Sequence, residues 1–192
     1  MSVLHLILIA VLVVLLFIMY GMYVRIVQKK NNAKEAMSGI DVQLRKRYDL
    51  IPNILAIAAK FMEHEKGLMT EITELRTQAA SIRSDADTIG KKIELDNALT
   101  SKMSQLMVNV ENYPQLKSDQ TMLQAMQTYS EVEEHIAAAR RFYNSAVKDL
   151  NNSVEIFPSS LIAAMIGVRV CPFFETDDTA RQPVNAGDYF NK

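Results

Sequence analysis

Hydrophobic and polar positions divide the chain into two regimes. Residues 3–24 read VLHLILIAVLVVLLFIMYGMYV, an apolar run in which His5 is the only ionisable side chain. As a helix this run is about 33 Å long, enough to cross a hydrocarbon core of about 30 Å. After Arg25 the pattern becomes amphipathic, with apolar residues returning at steps of three and four. Ala33, Ala36 or Met37, Ile40, Leu44 and Tyr48 form the first such stripe. Pro52 lacks an N–H, so a kink or a fresh helix is expected there, with Asp49 as a possible cap.

The second stripe is the most regular: Ile54, Ala58, Phe61, Glu65, Leu68, Ile72, Leu75, Ala79 and Ile82 alternate steps of four and three. That spacing predicts one helix with a coiled-coil-like seam. Residues 81–90, rich in Ser and Asp and ending in Gly, read as a loop. A third helix is expected from Lys91 to Asn109, presenting Leu99, Met103, Leu106 and Val110, with Asn112-Tyr113-Pro114 ending it. The last long helix should start at an Asp119 cap and run toward Pro158. Its stripe is Met122, Ala125, Tyr129, Val132, Ile136, Ala139, Tyr143, Ala146 and Leu150. Ser159 or Ser160 then caps a short apolar helix. No segment alternates with period two for long enough to require a sheet. The expected fold is all-α: an N-terminal transmembrane helix, an elongated antiparallel bundle of long helices, and a short C-terminal helix. The boundaries fall at residues 1–24 for the anchor, 25–174 for the helical domain and 175–192 for an acidic tail.

Composition supports this division. Six glycines and five prolines in 192 residues suit long uninterrupted helices. With 21 Lys+Arg against 22 Asp+Glu, the chain has no whole-molecule attraction to nucleic acid. The distribution of bases is informative. None precedes the apolar run, whereas Arg25, Lys29, Lys30 and Lys34 follow it, which places the N-terminus outside and the remainder in the cytoplasm. Tyr20, Tyr23, Arg25, Lys29 and Lys30 are the expected membrane-interface residues, in contact with membrane lipids. A cleaved signal fits poorly, since the leading residues carry no base and the exit reads Tyr-Gly-Met-Tyr. Arg45, Lys46 and Arg47 lie about 30 Å further along an upright helix, so a solvated face or a protein contact is expected for them.

Candidate chemistry is sparse. No Glu-x-x-His, HExxH, GxSxG or P-loop occurs, and the single Cys171 precedes a proline. Accordingly no catalytic, cofactor or metal residue is assigned, and the chain is expected not to be an enzyme. Glu65 interrupts one apolar stripe and Arg140 borders another. An unpaired buried charge is costly, so the two are expected to pair across helices and set the bundle register. Leu161, Ile162, Met165, Ile166, Phe173 and Phe174 exceed what a helical seam needs, and are read as docking residues for the bundle, a second copy or the bilayer.

Longer stretches carry a resemblance. Residues 40–54 (IDVQLRKRYDLIPNI), His64-Glu65, residues 111–119 (ENYPQLKSD), 131–151 (EVEEHIAAARRFYNSAVKDLN), 157–163 (FPSSLIA) and 173–175 (FFE) together resemble the LemA family of bacterial membrane proteins. Tyr48 stands where the family usually has His, Leu150 where it has an aromatic, and Val168 where it has Phe. The resemblance implies an anchored helical bundle, envelope-protein partners and, through relatives in magnetosome formation, a role in shaping membrane. The reading is therefore a non-enzymatic scaffold of the bacterial inner membrane. Self-association is expected because its stripes are too extensive for a lone copy. The alternatives are an adaptor for a membrane protease or other envelope protein, and an unrecognised hydrolase.

Overall fold

The computed structural model describes residues 3–82 and 88–174. The described residues are helical, in the order α1 (Val3–Ala58), α2 (Lys66–Ser81), α3 (Ile89–Val110), α4 (Pro114–Lys117), α5 (Gln120–Glu155) and α6 (Ser159–Met165), with a 3-10 turn at Glu63–Glu65 before α2. The all-α class and the long N-terminal apolar helix are as expected. The tail from residue 175 and residues 83–87 of the 81–90 loop lie outside the described residues, while Ser81 ends α2 and Ile89 and Gly90 begin α3.

Cross-helix contacts give the topology. Lys29 Nζ donates to Ser153 Oγ at 2.7 Å, and Arg47 Nη1 to Glu133 Oε1 at 2.8 Å, so α5 runs antiparallel to α1. Lys92 pairs with Asp41 and Asp96 with Arg47, so α3 rises parallel to α1. Glu65 meets Asn109 and Glu71 meets Lys102, so α2 descends beside α3. The result is an up-down-up-down bundle built around an α1–α5 hairpin. The two shorter helices α2 and α3 complete its half far from the apolar run. On the near half, α6 and the extended residues 168–174 take their place, and Ile162, Ala163, Val168 and Phe174 join the same core as Ile26 and Leu150.

Two expectations about helix ends need correction. The 54–82 stripe is not one helix: α1 absorbs Ile54 and Ala58, the chain turns at residues 59–62, and α2 carries Leu68 to Ala79. Turning there lets α2 fold back on its own stripe, with Met62 fully buried at the corner. Nor does a fresh helix start at Pro52: α1 continues through it to Ala58. A proline removes the hydrogen bond to the carbonyl four residues earlier, here that of Tyr48. Arg76 Nε, on α2, donates to that same Tyr48 oxygen at 2.9 Å. A side chain from the neighbouring helix thus restores the acceptor's partner.

The caps also divide. Asp119 caps α5 as expected, its carboxylate accepting from Met122 N at 2.9 Å. Neither Ser159 nor Ser160 caps α6; Pro158 holds that position and Ser159 Oγ donates to Ile156 O instead. Gly167, at φ +68°, closes α6 by a Schellman turn in which Val168 N reaches Ala163 O and Gly167 N reaches Ala164 O. That turn sends the chain back along α5.

The repair at Pro52 is testable by a double-mutant cycle. Arg76→Ala should cost about 1–2 kcal/mol of stability, because a carbonyl is left without its charged donor. In the Pro52→Ala background the helix supplies its own donor, and the same change should cost about 1 kcal/mol less. Equal costs in the two backgrounds, measured by urea unfolding, would show that Arg76 does not compensate for the proline.

Candidate functional site

The stripes of α1, α3 and α5 meet at the waist of the bundle, and there the core turns ionic. In α1 the steps Ile40, Leu44, Arg47, Ile51, Ile54 and Ala58 form one buried row, so Arg47 occupies a core position with no exposure. In α3 the row Leu99, Met103, Leu106 extends backward through Asp96, Lys92 and Ile89, all buried. Arg47 therefore faces Asp96 directly, its Nη2 donating to Oδ1. Arg47 Nη1 donates to Thr100 Oγ1 at 2.9 Å and to Glu133. From α5, Arg140 Nη2 donates to the other Asp96 oxygen. Asp96 is thus clamped between two guanidiniums, while Arg140 also lies 4.5 Å over the Phe174 ring. Phe174 in turn meets Tyr143 edge-on at 6.5 Å. Two arginines and two carboxylates balance in charge.

The electrostatics fit a permanent ion cluster. Burial works against the Arg47 charge, but Asp96 and Glu133 outweigh it and raise the guanidinium above its ordinary value. Burial raises the Tyr48 phenol, reinforced by Asp96 and opposed by Arg47. Burial raises Tyr129 as well, with Arg47 opposing and Glu133 reinforcing. Tyr48 OH donates to Asp96 Oδ1 at 3.4 Å. Each charge is met by a neighbour, while Tyr129 OH, Arg47 Nε and Arg140 Nε are buried without a hydrogen-bond partner. Such a cluster sets register more than it adds stability, since desolvating the charges offsets their attraction.

A second set of contacts straps the C-terminal segment to α5. Asn144 and Asn151, two turns apart, each use both ends of the amide. Asn151 accepts from Cys171 N and donates to Cys171 O, both at 2.9 Å. Asn144 accepts from Phe174 N at 2.7 Å and donates to Phe174 O at 3.0 Å. Tyr143 OH donates to Pro172 O at 3.1 Å, and burial, with Cys171 beside it, pushes that phenol up to about 12. Burial also pushes the Cys171 thiol up, with Lys30 partly opposing, which makes it a poor nucleophile.

The expected site residues fare unevenly. Glu65 and Arg140 do not pair: Asn109 Nδ2 donates to Glu65 at 3.0 Å, whereas Arg140 is taken by Asp96. The corner after α1 carries Glu65 to the far end of the bundle, beyond Arg140's reach. Register is set by charges on the seams, but through Asp96. Of the three bases in residues 45–47, Arg45 and Lys46 are exposed and Arg47 makes the protein contact. Tyr20 and Tyr23 stack at 6.5 Å where α1 leaves the bundle; Arg25 and Lys30 are exposed, and Lys29 reaches Ser153. Among the docking residues, Ile162 and Phe174 are buried and Ile166 half-buried, while Leu161, Met165 and Phe173 remain exposed. Among the described residues no group of three His, Cys, Asp or Glu is placed to hold a metal.

The chain matches known proteins. A sequence profile of the LemA family matches residues 36–186, and the chain belongs to that family. It is similar to Protein LemA of Metamycoplasma hominis, 22% identical over 175 residues covering 91% of this chain and 78% of the relative. It is also similar to the magnetosome proteins MamQ 1 and MamQ 2 of Paramagnetospirillum magneticum, each 21% identical over 193 residues covering 88% of this chain and 71% of the relative. The family and the all-helical fold are not known enzyme classes. Within α1 the apolar run is long enough to cross a membrane and none of it is buried in the bundle, which fits a membrane anchor.

Two outcomes follow from the cluster. Asp96→Ala strands two buried guanidiniums and should destabilise the fold by about 3–5 kcal/mol, against under about 1 kcal/mol for Glu65→Gln. A small loss for Asp96→Ala in chemical denaturation would contradict the clamp. The buried phenols add a pH dependence. Their folded values lie above 10.0, so the fold retains protons that the unfolded chain releases. Their stability contribution is complete below pH 10 and is lost as pH rises through the folded values. Tyr48→Phe should flatten that alkaline decline in the unfolding free energy.

Proposed function

We propose that this LemA-family protein is a membrane-anchored helical scaffold that associates with its own copies and organises the bacterial inner membrane, without catalysis of its own. The single observation that carries the reading is α1, one unbroken helix from Val3 to Ala58. Its first part is apolar and outside the bundle; the rest is the bundle's central strut. A domain carried this way keeps a fixed height and tilt above the bilayer. Copies anchored in one membrane meet with matching faces, so weak contacts gain from orientation and from a high effective concentration. The likeness to magnetosome proteins supports a task in organising a membrane. The bases after the apolar run favour a cytoplasmic bundle.

The contact between copies has a different basis from the one expected of the sequence. The long stripes are buried against one another within a single chain, so they leave no wide oily edge. Phe142 is the better candidate: it is 64% exposed and borders a groove of about 350 Å³ between α1 and α5, with Lys29, Asn32, Glu35 and Asp149 around it. An aromatic anchor within a ring of mixed charges is the usual make-up of an interface hot spot.

A second reading, an adaptor for another envelope protein, draws on the far tip. A cleft of about 570 Å³ opens there, lined by Lys60, Phe61, His64, Tyr113 and Pro114. Crosslinking in native membranes separates the two: mainly self-crosslinks support the scaffold, and a stoichiometric foreign partner at the tip supports the adaptor.

Mass measurement of the full-length protein in lipid nanodiscs tests the scaffold directly. Dimers or larger assemblies are expected, and Phe142→Glu or a flexible Gly-Ser insertion after Val24 should weaken association about tenfold. A uniform monomer across accessible concentrations would overturn the proposal.

A further inference from the structure

The end of α5, the turn after it and α6 lie level with the point where α1 leaves its apolar run. Lys29, five residues past Val24, is bonded to Ser153, so Ser153 stands about 7.5 Å above the end of that run. Because α5 descends toward it, Ile156 stands only about 3 Å above. The chain turns there through Phe157-Pro158 and enters α6, which packs against both α1 and α5. One side of α6 is committed to the bundle through Ile162 and Ala163. The other side carries Leu161 and Met165, one turn apart and 60% and 77% exposed. Phe157 is 74% exposed, and Ile156 and Val170 are more than half exposed.

This surface is unusual in charge as well as in exposure. Residues 156–174 contain no Asp or Glu, in a chain with 22 of them, and one base, Arg169, which is exposed. Arg25 and Lys30 are exposed at the same height on α1. Glu155 is exposed one residue before Ile156, but apolar side chains with a mainly cationic rim suit a layer of anionic headgroups above acyl chains.

We infer that Ile156, Phe157, Leu161, Met165 and Val170 form an interfacial foot that enters the headgroup layer of the bilayer spanned by α1. The inference rests on that span crossing the membrane, and not on self-association. Phe173 is not part of the foot. Asn151 and Asn144, two turns apart on α5, hold Cys171 and Phe174, which carries Phe173 back up the bundle. The foot gives the bundle a second attachment on the side of α5, which reinforces the tilt that α1 sets.

Labelling with an environment-sensitive fluorophore tests this in the full-length chain, carrying Cys171→Ser and one of Leu161→Cys, Met165→Cys, Val108→Cys or Val14→Cys. The protein is placed in vesicles of phosphatidylethanolamine and phosphatidylglycerol, at about one copy per vesicle so that a second copy cannot cover the label. Labels at positions 161 and 165 should be quenched about threefold more by brominated lipid than the label at position 108, and be shielded from aqueous iodide. Position 14 reports the span itself. Iodide quenching at 161 and 165 equal to that at 108, with position 14 still lipid-quenched, overturns the foot and leaves the span intact. Shielding from both quenchers also overturns it, since protein rather than lipid then covers the face. Loss of lipid quenching at position 14 overturns the span and the foot together.

Discussion

The structure depends on a carboxylate that has nowhere else to go. Asp96 is fully buried, and its two oxygens are taken by guanidiniums from different helices, Arg47 on α1 and Arg140 on α5. A buried charge without partners is intolerable, so α1, α3 and α5 can settle only in the register that brings these three side chains together. Apolar stripes at steps of three and four tolerate sliding by a heptad; this triad does not. Arg140 also lies on Phe174, at the end of the C-terminal strap. The same contact therefore joins the half of the bundle completed by α2 and α3 to the half completed by α6 and residues 168–174.

With register fixed at the waist, distances along the bundle become meaningful. α1 and α5 lie side by side for most of α5's length, so each residue of α5 has a definite height above the end of the apolar run. That height places α6 beside Arg25 and the far cleft about 50 Å away. Pro52 lies between these ends, in a helix that continues past it to Ala58. Arg76 occupies the Tyr48 carbonyl that the proline leaves without a donor. A helix that is continuous through its proline and locked at its waist can transmit the orientation of its membrane segment to a surface far from the bilayer.

Much of this was legible in the sequence, and the misses share a cause. The stripe of α5 was read almost residue for residue, and its Asp119 cap is real, because local periodicity and capping chemistry do not need a tertiary partner. Arg47 and Asp96 were passed over as site residues because apolar side chains were followed and charged ones treated as interruptions. Continuing the α1 row from Leu44 by three reaches Arg47, and continuing the α3 row back from Leu99 by three reaches Asp96. A charge in phase with a seam was the available signal. Glu65 looked equivalent, but the corner at residues 59–62 takes it out of phase with the seams at the waist. The persistence of α1 through Pro52 was not readable locally, since its reason lies on α2. Nor was the strap, because asparagine amides binding backbone leave no periodic trace.

Hydrogen exchange across residues 20–34 of the full-length protein in nanodiscs measures the coupling between membrane segment and bundle most directly. A single stiff helix predicts uniformly slow exchange from the apolar run into the bundle, with no fast step at Arg25 or beyond. Rapid exchange confined to residues 25–32 would reveal a hinge, and an anchored rod of fixed orientation would then be the wrong description.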